Sequence, residues 1–203
     1  MITIVDYGCG NLFSLQSSFQ AIGMECVLAH TAEEIKKADK LVLPGVGAFG
    51  AASVLLDESG MKEALLEQAK AGVPLLGVCL GMQLLFEESE EYGTHKGLGL
   101  LKGKIKPFSD VLDASYKIPH MGWNSISLRK PDVPLLKNTK ENDFVYFVHS
   151  FYAAECEESI LAYADYGICV PAVVGSRNIY GTQFHPEKSG EAGLRILRAF
   201  AEL

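Results

Sequence analysis

The sequence has no excess of basic residues. Its 18 Lys and Arg are outnumbered by 25 Asp and Glu, and the formal net charge over 203 residues is -7. A nucleic-acid surface needs clustered positive charge, so we expect no nucleic-acid partner. The acidic runs EESEE at 87–91 and ECEES at 155–159 are typical of short solvated segments.

The sequence also lacks long apolar runs, targeting signals and paired cysteines. No apolar run reaches the roughly 18 residues of a membrane-spanning helix, and no basic segment opens the chain as in a signal peptide. We therefore expect no membrane association and a cytoplasmic location. The cysteines number five, an odd count, and their spacing fits no zinc site, so we expect free thiols and no metal.

Nothing divides the chain into parts, because it contains neither internal repeats nor a linker rich in proline and serine. Hydrophobic residues make up 48% and charged residues 21%, which is close to the average of globular proteins. We expect one α/β domain covering residues 1–203.

Short apolar runs alternate with helical patterns in the first half of the chain. Apolar runs predict strands at 2–7, 25–29, 40–45 and 74–79, and helical spacing predicts helices at 11–23, 32–38 and 60–72. This alternation indicates a parallel sheet with right-handed crossovers. The continuous apolar character of the strands indicates that helices cover both faces of the sheet.

Strand patterns dominate the second half, with few helices between them. We expect strands at 99–108, 124–128, 144–155, 160–167, 172–178 and 179–187, and a closing amphipathic helix at 191–203. Several strands alternate in polarity and should pair antiparallel. The predicted fold class is therefore α/β with three layers: a mostly parallel central sheet flanked by helices, with antiparallel strands in the second half.

The segment PLLGVCLGMQLLF, residues 74–86, is almost entirely apolar, yet Cys79 stands in it between Gly77 and Gly81. A sharp turn from a central strand into a helix has this G-x-nucleophile-x-G form, because strand and helix approach closely there. The helix N-terminus favours a thiolate, and the N–H of Leu80 would point at a developing oxyanion. A buried, inert cysteine with two packing glycines is the alternative, so a base must decide between them.

His185 and Glu187, in GTQFHPEKS at 181–189, are candidates for that base and its orienting carboxylate. Two residues apart on an extended segment, their side chains would project to the same side. A histidine beside a thiol, oriented by a carboxylate, suits nucleophilic acyl transfer. Metal binding would need a third ligand that the sequence does not supply, and a solvated histidine at a strand end is the remaining alternative.

The turn PGVG at 44–47 follows the third predicted strand, at the sheet edge where open α/β folds bind ligands. Its small residues allow backbone N–H groups to approach a substrate. A phosphate-binding loop is not indicated, since the G-x-x-x-x-G-K-[ST] pattern is missing. His149 lies in an aromatic strand pattern, and we interpret it as a structural histidine.

Together these motifs resemble the triad, or class I, glutamine amidotransferases, which hydrolyse glutamine to glutamate and ammonia without a cofactor. The resemblance implies that Cys79 is the nucleophile, His185 the base and Glu187 its orienting carboxylate. It also implies an oxyanion and substrate site, composed of Gly45, Val46, Gly47, Leu80, Gln83, Ser150 and Phe151.

Six motifs narrow the resemblance to the glutaminase subunits of imidazole glycerol phosphate synthases: DYGCGNL (6–12), PGVGAFG (44–50), GVCLGMQLLF (77–86), PHMGWN (119–124), YFVHSFYA (146–153) and GTQFHPEKS (181–189). The resemblance implies a (β/α)8-barrel cyclase as partner in a heterodimer of histidine biosynthesis. That cyclase receives the ammonia through a channel and makes imidazole glycerol phosphate and an aminoimidazole carboxamide ribotide. Residues in motifs that would face the barrel are Asn11, Met121, Trp123 and Lys188.

Three other interpretations remain open. The chain could serve another triad amidotransferase, of the pyridoxal phosphate or purine pathway, although PHMGWN and PGVG argue against this. It could be a free-standing hydrolase or peptidase with the same cysteine elbow, which glutaminase specificity would exclude. It could be a binding module that has lost catalysis, which the intact Cys–His–Glu set argues against.

Overall fold

The strand–helix alternation of the first half is present in the computed structural model, which describes residues 1–203. The strands are β1 (Ile2–Val5), β2 (Cys26–Ala29), β3 (Lys40–Leu43) and β4 (Leu75–Val78). The helices are α1 (Leu12–Ala21), α2 (Ala32–Ile35), α3 (Phe49–Glu58), α4 (Met61–Lys70) and α5 (Leu80–Leu84).

The second half consists mainly of strands, as the polarity patterns indicate. They are β5 (Glu88–Ser89), β6 (His95–Lys96), β7 (Lys104–Pro107), β8 (His120–Ser125), β9 (Ser127–Leu128), β10 (Phe144–His149), β11 (Phe151–Ala154), β12 (Ile160–Asp165), β13 (Cys169–Ser176) and β14 (Ile179–Thr182). The closing helix α6 spans Gly190–Ala201. No helix combines the length and the apolarity that crossing a membrane requires.

The central sheet has eight strands in the order β2-β1-β3-β4-β14-β13-β12-β9. The first five are mutually parallel, and the last three continue the sheet antiparallel. Two smaller sheets accompany it: a two-stranded ribbon of β8 and β10, and a four-stranded sheet in the order β11-β7-β5-β6. The predicted α/β class, with a mostly parallel core and an antiparallel extension, is confirmed.

Two apolar cores lie on opposite faces of the central sheet. Neighbouring strand residues alternate between them, so that Leu41 and Leu43 enter one core while Val42 enters the other. Helices α3 and α4 cover the first face, and α1 and α6 cover the second. Burial on both faces explains why the parallel strands are continuously apolar.

Several predicted element boundaries are wrong. Helix α3 was not expected, because small residues obscure its period, although Phe49, Ala52 and Leu56 form a buried stripe. The strand expected at 144–155 breaks at Ser150, where the chain leaves the ribbon for the four-stranded sheet.

Other predicted segments are shorter or divided in the structure. The segment 99–108 is a strand only from Lys104, and 124–128 is shared between β8 and β9 in different sheets. The segment 32–38 is helical only to Ile35, and 179–187 is a strand only to Thr182. For the three strand segments, the pairing partners in the sheets, rather than the local polarity pattern, determine where the strand begins or ends.

Candidate active site

Cys79 occupies the single residue between β4 and α5. Its backbone has φ 54° and ψ -109°, a conformation that residues other than glycine rarely adopt. Strain of this kind persists only where the surroundings impose it, and it concentrates at functional sites. The cysteine elbow predicted from G-x-C-x-G is therefore present, and the cysteine residue is 7% exposed.

Three glycines allow the elbow to form. A Cβ added to Gly77 would lie 2.6 Å from the carbonyl oxygen of Gly81, and one added to Gly45 would lie 2.8 Å from the N–H nitrogen of Gly81. A Cβ at Gly81 would overlap the carbonyl oxygen of Leu43. The glycines therefore let β3, β4 and α5 meet in backbone contact beneath Cys79.

The side chains of His185 and Glu187 approach each other as expected, but the backbone that carries them has a different conformation from the predicted one. Residues Pro186–Lys188 form a 3-10 turn, not the extended segment that was predicted. Within this turn the Nδ1 atom of His185 lies 2.8 Å from Oε1 of Glu187, and both side chains are almost fully buried. The second carboxylate oxygen of Glu187 is buried without a hydrogen-bond partner.

Hydrogen bonds attach the His185 loop to strand β10. The N–H of His185 donates to the carbonyl oxygen of Tyr146 at 3.0 Å. The hydroxyl of Ser189 donates to the carbonyl oxygen of His185 at 2.6 Å and accepts the N–H of Tyr146 at 3.0 Å. The position of the imidazole therefore depends on pairing between segments about 40 residues apart in sequence.

The charge state of His185 results from opposing effects. Burial lowers the pKa of His185, but the interactions of the imidazole with Cys79 and with Glu187 outweigh this effect and raise the pKa to about 9. The imidazole is therefore protonated near neutral pH and can donate a proton.

A cavity of about 360 Å³ opens beside Cys79 and His185. The other predicted site residues that line it are Val46, Gly47, Leu80, Gln83, Ser150 and Phe151. Gly45 does not line the cavity, because it lies beneath the elbow against Gly81. The structure thus brings together residues from segments at 46–47, 79–83, 148–151 and 185.

The backbone N–H groups of Val46, Gly47 and Ser150, which line this cavity, donate to no acceptor within the chain. The N–H of Gly45, beneath the elbow, also has no acceptor. All four residues lie outside helices and strands. The N–H groups of Val46, Gly47 and Ser150 are therefore free to donate to an oxygen atom in the cavity.

Glu91 is a cavity residue that the sequence interpretation assigned to a solvated run. The residue is only 9% exposed, and its Oε2 accepts the N–H of Phe49, at the start of α3, at 2.6 Å. An anion is favoured at a helix N-terminus. The prediction for EESEE is therefore wrong at Glu91, and the overlooked signal is the missed helix α3, whose N-terminus needs an acceptor. Tyr92, Pro119, Val148 and His149 also line the cavity and were not predicted to do so.

The residues expected to face a partner lie near the cavity. Met121 and Trp123 are 60% and 56% exposed on the outer face of the β8–β10 ribbon, opposite Val148 and Tyr146 respectively. Their neighbour Phe144 is 58% exposed on the same face. Asn11 precedes α1, and Lys188 is exposed in the 186–188 turn that α1 contacts.

No group of three or more His, Cys, Asp or Glu side chains is arranged to hold a metal ion. The five cysteines are free thiols.

Comparison with known families agrees with this geometry. The family described as "Glutamine amidotransferase class-I" matches residues 3–202. A Bacillus licheniformis protein named imidazole glycerol phosphate synthase subunit HisH is 51% identical, with 100% of this chain and 96% of that protein covered. A Lactococcus lactis protein of the same name is 48% identical, with 99% and 98% covered.

Solved structures agree in fold. One described as PurLQS from Thermotoga maritima has a TM-score of 0.78 and 19% sequence identity, and the match covers 99% of this chain and 97% of that chain. At this identity the similarity shows the fold alone.

Proposed function

Because the chain belongs to the class-I glutamine amidotransferase family, and within it to the HisH subunits of imidazole glycerol phosphate synthase, we propose that it hydrolyses glutamine through a Cys79 thioester and passes the ammonia to a cyclase subunit. The observation that carries the mechanism is the convergence of Cys79 and His185 on one cavity, with Glu187 bonded to the far side of the imidazole. A nucleophile, a base and an orienting group are the parts that acyl transfer requires.

The substrate site supports recognition of an amino acid. The free N–H of Ser150 is a donor for the α-carboxylate of glutamine, together with the adjacent backbone at Phe151. The carboxylate of Glu91, which is held by the N–H of Phe49, is an acceptor for the α-ammonium group. These contacts leave the side-chain amide of glutamine to reach Cys79.

In the acylation step, the Cys79 sulfur attacks the carbonyl carbon of the glutamine side chain. The negative charge on the former carbonyl oxygen is stabilised by the N–H of Leu80 and by a free N–H of the 45–47 turn. Protonated His185 gives its proton to the amide nitrogen, and the C–N bond breaks to release ammonia. The product is a thioester between Cys79 and the glutamyl group.

In the deacylation step, neutral His185 takes a proton from water while the water oxygen attacks the thioester carbon. The C–S bond breaks, glutamate leaves, and Cys79 and His185 return to their starting state. Glu187 holds the imidazole by its Nδ1 atom throughout, so that Nε2 faces the reacting atoms.

The proposed partner is a (β/α)8-barrel cyclase that docks over the cavity in a cytoplasmic heterodimer. The apolar outer face of the ribbon, with Met121, Trp123 and Phe144 exposed, supports this, since exposed aromatic residues anchor interfaces. We expect Trp123→Ala to weaken partner binding at least tenfold, measured by titration, while the unfolding free energy changes by less than about 0.5 kcal/mol.

The alternatives are less well supported. A pyridoxal phosphate or purine subunit would share the fold, which the PurLQS structure does at 19% identity, whereas the HisH proteins match along the whole chain at about half of the positions. A free-standing hydrolase would not need the exposed apolar face of the ribbon, which is typical of a protein interface.

The deciding experiment is glutamate release from glutamine by the purified chain, first alone and then with a barrel cyclase and its nucleotide ligand. Stimulation by the liganded cyclase is the expected result. Equal turnover with and without the cyclase would contradict the proposed partner, and no turnover in either state would contradict the glutaminase itself.

A further inference from the structure

Buried polar side chains between the ribbon and the cavity form one chain of hydrogen bonds. His149 Nδ1 lies 2.8 Å from the carbonyl oxygen of Phe151, and His149 Nε2 lies 3.0 Å from Nδ1 of His120. His120 Nε2 in turn lies 3.3 Å from Nδ2 of Asn124. The two histidines are 3% and 6% exposed, and neither takes part in the reaction steps above.

The carbonyl oxygen of Phe151 determines which atoms donate and which accept in this series of hydrogen bonds, because a carbonyl oxygen can only accept a hydrogen bond. His149 must therefore carry its proton on Nδ1, which leaves Nε2 as an acceptor. His120 must then donate from its own Nδ1, and its Nε2 accepts from the amide of Asn124. The same Asn124 amide nitrogen donates to the carbonyl oxygen of Asp165 at 2.9 Å, which agrees with this amide orientation.

Aromatic packing holds both imidazoles in place and keeps them neutral. The ring of His120 is stacked between Phe147 and Tyr166, at centroid distances of 4.5 and 4.0 Å. His149 packs against Phe108 at 5.1 Å. Burial lowers the pKa of His120 to about 4 and that of His149 to about 3, so both rings are neutral at pH 7.

Phe151 has a second donor, the side chain of Gln83. Its Nε2 lies 3.2 Å from the Phe151 carbonyl oxygen and 3.1 Å from Oε1 of Gln183. Both amide hydrogens of Gln83 are thereby used. Its Oε1 makes no hydrogen bond within the chain and is not sealed from solvent, so it is available to the cavity that Gln83 lines.

We propose that His149, held by His120, is a positioning residue that anchors the Phe151 carbonyl and so turns the amide oxygen of Gln83 toward the substrate, where it accepts an N–H of glutamine. This inference rests on the proposed function, because it specifies the polarity of one substrate contact. Loss of His149 should weaken substrate binding and leave the chemical step unchanged, since none of the hydrogen-bonded groups from Asn124 to Gln83 (the relay) touches the reacting carbon.

The kinetic test uses two substitutions of His149 in the complex with the cyclase. His149→Leu removes the donor to Phe151, and we expect the KM for glutamine to rise at least tenfold while kcat stays within about threefold, as for loss of a buried hydrogen bond. His149→Asn keeps an N–H donor at the Nδ1 position and should restore KM to within about threefold of the wild type. The matched control is His30→Leu at the exposed end of edge strand β2, with unchanged KM.

An unchanged KM in His149→Leu would overturn the proposal, and so would a fall in kcat at constant KM, which would assign His149 to the chemistry. If His149→Leu does not fold, nitrogen-15 NMR of the wild-type imidazoles decides. Neutral rings protonated on Nδ1 at both His120 and His149 are expected, and a ring protonated on Nε2 or charged at pH 7 would overturn the relay. Wild type that releases no glutamate with the cyclase would contradict the proposed function and leave the NMR prediction standing.

Discussion

The two sides of the site are held together in different ways. On the cysteine side, residues 43–83, backbone segments touch at Gly45, Gly77 and Gly81, where no side chain fits. On the histidine side, residues 146–189, polar groups bond one another, as Ser189 does with His185 and Tyr146. The cysteine side should therefore be sensitive to added atoms, and the histidine side to lost partners.

The largest effect should come from removing the nucleophile, which tests chemistry without disturbing either type of packing. We expect Cys79→Ala to lower glutamine turnover at least about a thousandfold, because no other group can form the thioester. Imidazole glycerol phosphate formation from free ammonium by the complex should remain, since it bypasses Cys79. Glutamine turnover retained in the variant would show that the mechanism is wrong.

On the histidine side, removing one hydrogen-bonding partner should lower the stability of the fold. His185→Ala leaves the buried carboxylate of Glu187 unpaired, since its other oxygen already has no hydrogen bond, and the unfolding free energy should fall by about 3–5 kcal/mol. The double variant with Glu187→Ala should recover part of that loss, although it remains inactive. Urea denaturation measures both, and a double variant less stable than His185→Ala would contradict this account.

On the cysteine side, adding one methyl group should lower the stability of the fold. Gly81→Ala pushes a Cβ into the carbonyl oxygen of Leu43, and we expect a loss of about 3 kcal/mol, the upper part of the overpacking range. Gly72→Ala is the control, because its Cβ meets no atom and only the φ of +90° opposes it, at about 1–2 kcal/mol. Equal losses in the two variants would mean that close packing does not define the elbow.

The smallest effect concerns the proton on His185. Its pKa is raised from 6.5 to about 9, so the interactions of the protonated imidazole with Cys79 and Glu187 stabilise the folded chain fully below pH 6.5 and are lost as the pH rises through 9. Glutamine turnover should fall about tenfold between pH 8 and pH 10, because the acid that protonates the leaving amide nitrogen of glutamine disappears. In Glu187→Gln the fall in turnover should begin at a lower pH than in the wild type. Identical pH profiles of the two proteins would show that Glu187 does not raise the pKa of His185.

The parallel half of the fold was predictable because its strands are apolar on both faces and its helices have a clear period. The elbow was predictable for a related reason: Gly77, Cys79 and Gly81 are neighbours in sequence, and their spacing reports a contact between adjacent elements. Helix α3 was missed where alanine, glycine and serine dilute the period, and with it the buried carboxylate of Glu91.

By itself, the sequence determined the fold class, the cysteine elbow and the pairing of His185 with Glu187, because each depends on residues close together along the chain. Only the tertiary structure decided that the strand after Phe144 breaks at Ser150, that Glu91 enters the cavity and that His120 bonds His149. These features arise where segments distant in sequence pair. The partner of a polar group there depends on how the segments are placed in space, which a local sequence pattern does not specify.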